Sequence, residues 1–170
     1  MEFANEINLA LLLLRVGLGA TMAAHGYGKF FTGGRIAGTA GWFDSMGMKP
    51  GKVHAVLAAG GEVLAGLFLA FGLLTPFAAL GFVGLMTVAW WTVHRDNGFF
   101  IIKEGWEYVF VLGLVAVCIA IIGPGEWSVD HAIGIANNLD GWPGFAISAG
   151  GGIAAAAGLL AAFFRPPAKE

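Results

Sequence analysis

Five apolar stretches, each close to the length of a membrane-spanning helix, dominate this sequence. They cover residues 8–24, 53–74, 76–93, 105–122 and 145–164. A helix needs about 20 mostly apolar residues to cross the hydrocarbon core of a bilayer, with a working range of roughly 17–25. The pattern predicts an all-α membrane protein. We expect a single transmembrane domain over residues 1–170 with five spans.

The composition argues against a soluble enzyme, a disordered chain and a nucleic-acid-binding protein. Hydrophobic residues make up 58% of the 170 residues and charged residues 12%, whereas about 25% of residues are charged in soluble domains. A compact soluble fold of this size could not bury so much apolar surface. The net charge of −2 provides no basic surface for nucleic acid. The single cysteine, Cys118, excludes a disulfide framework and a multi-thiolate metal site.

The basic residues predict the orientation of the chain. Apart from Arg15, they fall in three segments that five spans place on one side of the membrane: Lys29, Arg35, Lys49, Lys52, Arg95, Lys103, Arg165 and Lys169. Because cytoplasmic loops are enriched in Lys and Arg, we expect the N-terminus outside and the C-terminus in the cytoplasm. Glu2 and Glu6 stand where a cleaved signal peptide would be basic, so the first span is expected to be retained.

The glycine-rich segment over residues 26–52 is too long for a simple turn. Ile36, Ala40 and Phe43 recur in it at helical spacing. This spacing predicts a short helix over residues 36–46 that lies on the cytoplasmic surface of the membrane. A re-entrant or disordered loop is the alternative interpretation of the same segment.

Two charged residues lie near the middle of predicted spans, where a charge costs at least about 2.5 kcal/mol on insertion scales and usually has a partner. Arg15 is near the middle of the first span and Glu62 is near the middle of the second. Because these spans run in opposite directions, both residues are expected near the midplane, facing each other. Two interpretations stay open. One is a structural ion pair that fixes the helix register; the other is a proton or ligand site in which Glu62 titrates and Arg15 holds an acceptor group.

A second group of polar residues is predicted at the cytoplasmic ends of the spans. His25 and Lys29 are four residues apart and share a helix face, His94 closes the third span, and Glu107 lies at the start of the fourth. Ordinary helix-end chemistry and an interfacial aromatic belt explain parts of this pattern. We expect one cavity that reaches from Glu107 toward Arg15. The ligand-binding candidates are Arg15, His25, Lys29, Glu62, His94 and Glu107.

The order and spacing of several short motifs resemble the DoxX family of small bacterial integral membrane proteins over roughly residues 8–132. The motifs are Leu12-Leu13-Leu14-Arg15, His25-Gly26-x-x-Lys29, Gly38-Thr39-Ala40-Gly41-Trp42-Phe43, Gly61-Glu62, Met86, Gly98-Phe99, Gly105-x-Glu107 and Gly123-Pro124-Gly125-Glu126-Trp127-Ser128-Val129-Asp130. The resemblance implies a four-helix membrane bundle. It also implies a link to redox or sulfur metabolism, because a relative is a subunit of thiosulfate:quinone oxidoreductase. The span at residues 145–164 is an addition to the family pattern.

The first functional hypothesis is a redox-linked membrane subunit that binds a quinone-like molecule. His25, Lys29 or Arg15 would donate hydrogen bonds to the carbonyls, and Glu62 and Glu107 would relay protons. No flavin, iron–sulfur or haem ligand set is recognisable in the sequence. Such a subunit would therefore need a soluble redox partner that carries electrons, or would bind quinone without turning it over.

Two alternatives stay open beside the quinone hypothesis. One is a non-catalytic membrane scaffold that docks a soluble partner on its cytoplasmic loops. The other is a small transporter with Glu62 as its gate. No catalytic residue and no metal are assigned, and a homo-oligomer is compatible with each hypothesis.

Overall fold

The computed structural model describes residues 4–167, and these residues are mostly helical. Within this range the helices are α1 (Ala4–Phe31), α2 (Arg35–Met46), α3 (Gly51–Phe71), α4 (Thr75–Asn97), α5 (Glu107–Ile122), α6 (Val129–Ala132) and α7 (Gly141–Phe163). The last turns of α4 are π-helical and then 3₁₀, and α7 contains a π-helical segment. The described residues form no β-sheet, so the predicted all-α class is confirmed.

Four of these helices are long and apolar enough to cross a membrane: α1, α3, α4 and α7. The helix α5 coincides with the predicted fourth span but has only 16 residues. At 1.5 Å per residue it is about 24 Å long, shorter than a hydrocarbon core of about 30 Å. The chain is therefore a multi-pass membrane protein. A total of five crossings stays a prediction.

Close antiparallel packing of α1 on α3 forms one side of the bundle. A side chain at Gly19 would meet the backbone of Gly66, and a side chain at Gly26 would meet the carbonyl of Ala59. The two helices approach this closely because these glycines have no side chain, a common arrangement between membrane helices. The pairs Gly19–Gly66 and Gly26–Ala59 fix the register of the two helices.

The apolar core lies around α4, which packs against α3, α5 and α7. Leu69 from α3, Phe82 from α4 and Ile119 from α5 are almost completely buried in it. The connections between the helices lie at two ends of the bundle. We call them the His25 end, where α1, α4 and α7 finish, and the Asp130 end, where α3 and α5 finish.

The short helix predicted over residues 36–46 is present as α2. It ends at Gly47, which has a left-handed backbone (φ 98°) and caps the helix by donating its N–H to carbonyls of the last turn. The carboxylate of Asp44 accepts a hydrogen bond of 2.8 Å from the N–H of Gly51, the first residue of α3. This bond ties α2 to the start of the next helix. Its predicted position on the membrane surface stays a prediction.

The C-terminal helix α7 is built into the bundle. Gly152 packs against Val83 of α4, and beyond the helix the N–H of Arg165 donates to the carbonyl of Gly47 at 2.8 Å. Met48 and Phe164 pair as an isolated antiparallel bridge. The helix that the DoxX resemblance treats as an addition therefore holds the connection between α2 and α3 at the His25 end.

A folded loop closes the opposite end of the bundle. The carboxylate of Asp130 accepts hydrogen bonds from the N–H of Leu74 (2.7 Å) and from the N–H and hydroxyl of Thr75 (3.0 and 2.8 Å). The two N–H groups are the first backbone donors of α4, which have no acceptor within the helix. Asp130 is itself buried. The carboxylate of Asp130 thus connects the loop that follows α5 to the turn between α3 and α4.

Replacing Asp130 with alanine is expected to lower the free energy of unfolding by about 2–3 kcal/mol, because it leaves these buried donors without their charged acceptor. Thermal unfolding of the purified protein in detergent measures this loss. His131→Ala is the matched control, because the His131 side chain is exposed and only its backbone N–H is used, in a bond to Ser128. Equal stability of the two variants would contradict the role given to Asp130.

Candidate functional site

A cavity of about 510 Å³ lies at the His25 end of the bundle. Its walls come from α1, α2, α3, α4, α5 and α7, so six helices contribute to one space. Four of the six predicted ligand-binding residues line it: His25, Lys29, Glu62 and His94. The other two, Arg15 and Glu107, lie elsewhere. We expected a cavity that reaches from Glu107 toward Arg15. The observed cavity is lined by neither residue, so this expectation is wrong about where the cavity begins and ends.

An ion pair between Lys29 and Glu62 is the main polar feature of the cavity wall. The ammonium of Lys29 donates to both carboxylate oxygens of Glu62, at 2.7 and 2.6 Å. The side chains are only 23% and 10% exposed. The ion pair is strongly held, because leaving either charge unpaired on this largely buried wall would cost free energy.

The predicted pairing of Arg15 with Glu62 is wrong, and the helix register explains why. The contacts of Gly19 with Gly66 and of Gly26 with Ala59 place Glu62 two turns of α1 away from Arg15. Side chains on a helix also tilt toward its N-terminus. Lys29 therefore leans back along α1 toward Glu62, whereas Arg15 leans away toward the Asp130 end.

Arg15 belongs to the folded loop at the Asp130 end. Its guanidinium is fully buried and donates to the carbonyls of Ala70 (3.2 Å) and Trp127 (2.6 Å). Gly72 lies directly against it with a left-handed backbone (φ 62°), and a side chain there would collide with the guanidinium. Arg15 is thus a structural residue that ties the loop to α3.

A second polar pair, His25 and Tyr108, faces the same cavity. His25 Nε2 and the Tyr108 hydroxyl share a hydrogen bond of 3.2 Å, and both residues line the cavity. Tyr108 was not predicted as a site residue, because an aromatic residue at the end of a span is typical of an interfacial belt. Its hydroxyl adds a polar group at the part of the wall that α5 forms.

His94 and Glu107 have different surroundings. His94 lines the cavity, and its Nδ1 donates to the carbonyl of Glu104 at 2.6 Å. Glu107 faces the loop before α5, where its carboxylate accepts a hydrogen bond of 3.0 Å from the N–H of Ile101. Glu107 therefore organises a loop rather than the cavity.

The apolar part of the wall has a feature that the sequence did not reveal. Every methionine within residues 4–167 lines the cavity: Met22, Met46, Met48 and Met86. They come from α1, α2, the connection after α2, and α4, so no sequence spacing relates them. Methionine side chains are flexible and polarisable, and they adapt to ligands of varied shape.

Another polar wall residue that the sequence analysis missed is His54, at the start of α3. Its Nε2 lies 3.3 Å from the carbonyl of Lys49, and its ring packs edge-on against Phe163 of α7. Within the described residues, no group of three or more His, Cys, Asp or Glu side chains is arranged to hold a metal ion. The cavity therefore offers hydrogen-bonding and charged groups on an otherwise mostly apolar, adaptable wall.

Comparisons with known proteins agree with the motifs in the first half of the chain. The family model described as DoxX matches residues 10–95, which include most of α1, all of α2 and α3, and most of α4. An uncharacterized protein of Haemophilus influenzae (strain ATCC 51907 / DSM 11121 / KW20 / Rd) is 30% identical over 84 residues, 49% of this chain and 56% of that protein. The chain thus matches little more than half the length of this relative. No solved structure matches the chain.

Proposed function

The chain belongs to the DoxX family, and we propose that it is a membrane subunit of a redox or sulfur-metabolism system whose cavity binds a quinone-like molecule. One observation carries the proposal. The Lys29–Glu62 and His25–Tyr108 pairs lie on the wall of one cavity whose remaining lining is mostly apolar.

The size and lining of the cavity suit a flat apolar molecule with a polar head. Small-molecule sites are typically about 300–1,000 Å³ and mostly apolar, with a few polar groups that fix orientation. The volume of about 510 Å³ lies within this range. The methionine-lined wall can adjust to a ring and to the first part of an apolar tail.

The polar groups match the two ends of a quinone ring. The Lys29 ammonium and the Tyr108 hydroxyl are donors for the two carbonyls, and Glu62 is an acceptor for the hydroxyl of a quinol. Reduction of a quinone takes up two electrons and two protons. We propose that Glu62 and His25 pass protons, and that a soluble redox partner docked at the His25 end supplies the electrons.

We extend the proposal to the placement of the chain in the membrane. The basic residues in the connections and in the described part of the tail all belong to the His25 end. The positive-inside rule then supports an orientation with the His25 end and the C-terminus in the cytoplasm of a bacterial plasma membrane. The cavity would face the side where soluble electron donors are found.

Filling the cavity is expected to weaken quinone binding. Ala58 lines the cavity, so Ala58→Phe places a ring in the space and should raise the Kd for decylubiquinone by about tenfold or more. Equilibrium binding of labelled decylubiquinone to the protein in nanodiscs measures the change. Val56→Phe is the matched control on the same helix, because Val56 is exposed and lies outside the cavity lining.

The outcomes separate the candidate functions. Saturable binding that Ala58→Phe weakens and Val56→Phe leaves unchanged would support the proposal. Absence of saturable binding to the wild-type protein would contradict it and favour the scaffold that docks a soluble partner. Equal effects of both substitutions would show that decylubiquinone binds outside the cavity.

A further inference from the structure

A second space of about 480 Å³ lies on the other side of α4, between α4, α5 and α7. We call it the α5–α7 groove. Near the Asp130 end α7 packs tightly on α5, where Gly144 lies against the carbonyl of Ala120. Toward the His25 end the groove runs between the two helices. Most of its lining is apolar, including Val83, Phe110 and Ile153.

The groove has the length of one leaflet. Its lining on α4 runs from Val83 to Arg95, and a second stretch runs from Trp106, just before α5, to Val117 on α5. At 1.5 Å per residue each stretch is about 17 Å long, and half of a hydrocarbon core of about 30 Å is about 15 Å. A groove of this length that begins at the membrane interface would reach to about the bilayer midplane.

The interface end of the groove has the residues that contact a lipid head group. Arg95 is the one basic side chain among the described residues that line it, and Trp90 and Trp106 flank the same level. The Arg95 guanidinium lies over the Trp91 ring, 4.2 Å from its centroid. The Arg95 guanidinium also lies 3.4 Å from the carboxylate of Asp96. Both side chains are exposed, so this ion pair holds the guanidinium only weakly. Arg95 is thus available to bind a phosphate. The neighbouring tryptophans are typical of the depth at which lipid head groups lie.

We propose that the α5–α7 groove is a binding site for an anionic phospholipid. One acyl chain lies along the groove between α5 and α7, and the phosphate pairs with Arg95. Two observations support this assignment: the positive charge of Arg95, and an apolar lining about as long as one leaflet of the bilayer. The site is separate from the cavity of the proposed function, and Met86 and Val109 line both spaces and form the wall between them.

Native mass spectrometry of the detergent-solubilised protein, titrated with phosphatidylglycerol or phosphatidylcholine, tests the site. The wild-type protein is expected to retain one phosphatidylglycerol in preference to phosphatidylcholine. Arg95→Gln should weaken phosphatidylglycerol retention by roughly fivefold and abolish the preference. Lys103→Gln is the matched control, because Lys103 is an exposed basic residue at the same end outside the groove. Equal effects of the two substitutions would overturn the proposal.

A groove-filling variant tests the acyl chain independently of the charge. A side-chain carbon at Gly113 would meet only Met86, at 3.9 Å, so Gly113→Leu fills the groove without a clash in the helix backbone. It should reduce retention of both lipids, with thermal unfolding unchanged. Unaltered retention of both lipids in a folded Gly113→Leu protein would show that no acyl chain occupies the groove.

Discussion

Glu62→Leu is expected to lower the free energy of unfolding by about 3 kcal/mol or more, because it leaves the Lys29 ammonium without its carboxylate on a largely buried wall. The Lys29 ammonium donates to both oxygens of Glu62 and to no other described group. Thermal unfolding in nanodiscs measures the loss.

The double variant Lys29→Met/Glu62→Leu should recover part of the stability, since both charges are then removed together. Arg15→Leu supplies the matched comparison, because Arg15 bonds to backbone carbonyls at the other end of the bundle. The loss of unfolding free energy in Arg15→Leu should therefore add to the loss in Glu62→Leu when the two substitutions are combined. Additive losses for Lys29 and Glu62, or coupling between Arg15 and Glu62, would contradict the assigned pairing.

Gly19→Leu is expected to prevent normal packing of α1 on α3, with a loss of roughly 3 kcal/mol or more. A carbon added at Gly19 would collide with the carbonyl of Gly66 and would lie 2.8 Å from the N–H nitrogen of Ala70. Because both neighbours are backbone atoms of α3, only separation of the helices can relieve the collision. Size-exclusion profiles and thermal unfolding report the loss of the folded form.

Gly17→Leu is the matched control for this prediction. Gly17 is on the same helix two residues earlier, is exposed, and has no atom within 4 Å of an added side-chain carbon. The control therefore carries the same change in side-chain volume and helix propensity without the collision. Similar stability of the two leucine variants would show that α1 and α3 are not packed at Gly19.

The sequence predicted the helices well, because an apolar run long enough to cross a bilayer has few other structures available to it. The main difference in the first helix is its length. The predicted stretch at residues 8–24 lies within α1, which continues to Phe31. His25 and Lys29 extend it because their polar groups find partners on α3 and α5 rather than water.

The wrong prediction for Arg15 and Glu62 shows that a sequence does not determine which charged residues of two membrane helices pair. Both residues count as central in their spans, yet a helix pair can slide by a turn without changing either apolar pattern. The register is set by Gly19 and Gly66, where the backbones meet. Only this packing determines that Glu62 meets Lys29.

Only some of the residues predicted for the site come together in the structure, for a similar reason. His25, Lys29, Glu62 and His94 stand out as polar residues in or beside apolar runs, and they share the cavity. The methionine-lined wall and the phenol of Tyr108 look like ordinary core and belt residues in the sequence. Their role as lining depends on which helices surround the space.

Photolabelling with an azido-substituted ubiquinone tests most directly whether the cavity at the His25 end binds a quinone. The protein is irradiated in nanodiscs, and the labelled residues are identified by mass spectrometry. We expect adducts on cavity-lining residues such as Met22, Leu85 and Leu112, suppressed by excess decylubiquinone and by Ala58→Phe. Adducts confined to exposed residues such as Leu13 and Leu64, unchanged by the competitor, would contradict quinone binding in this cavity.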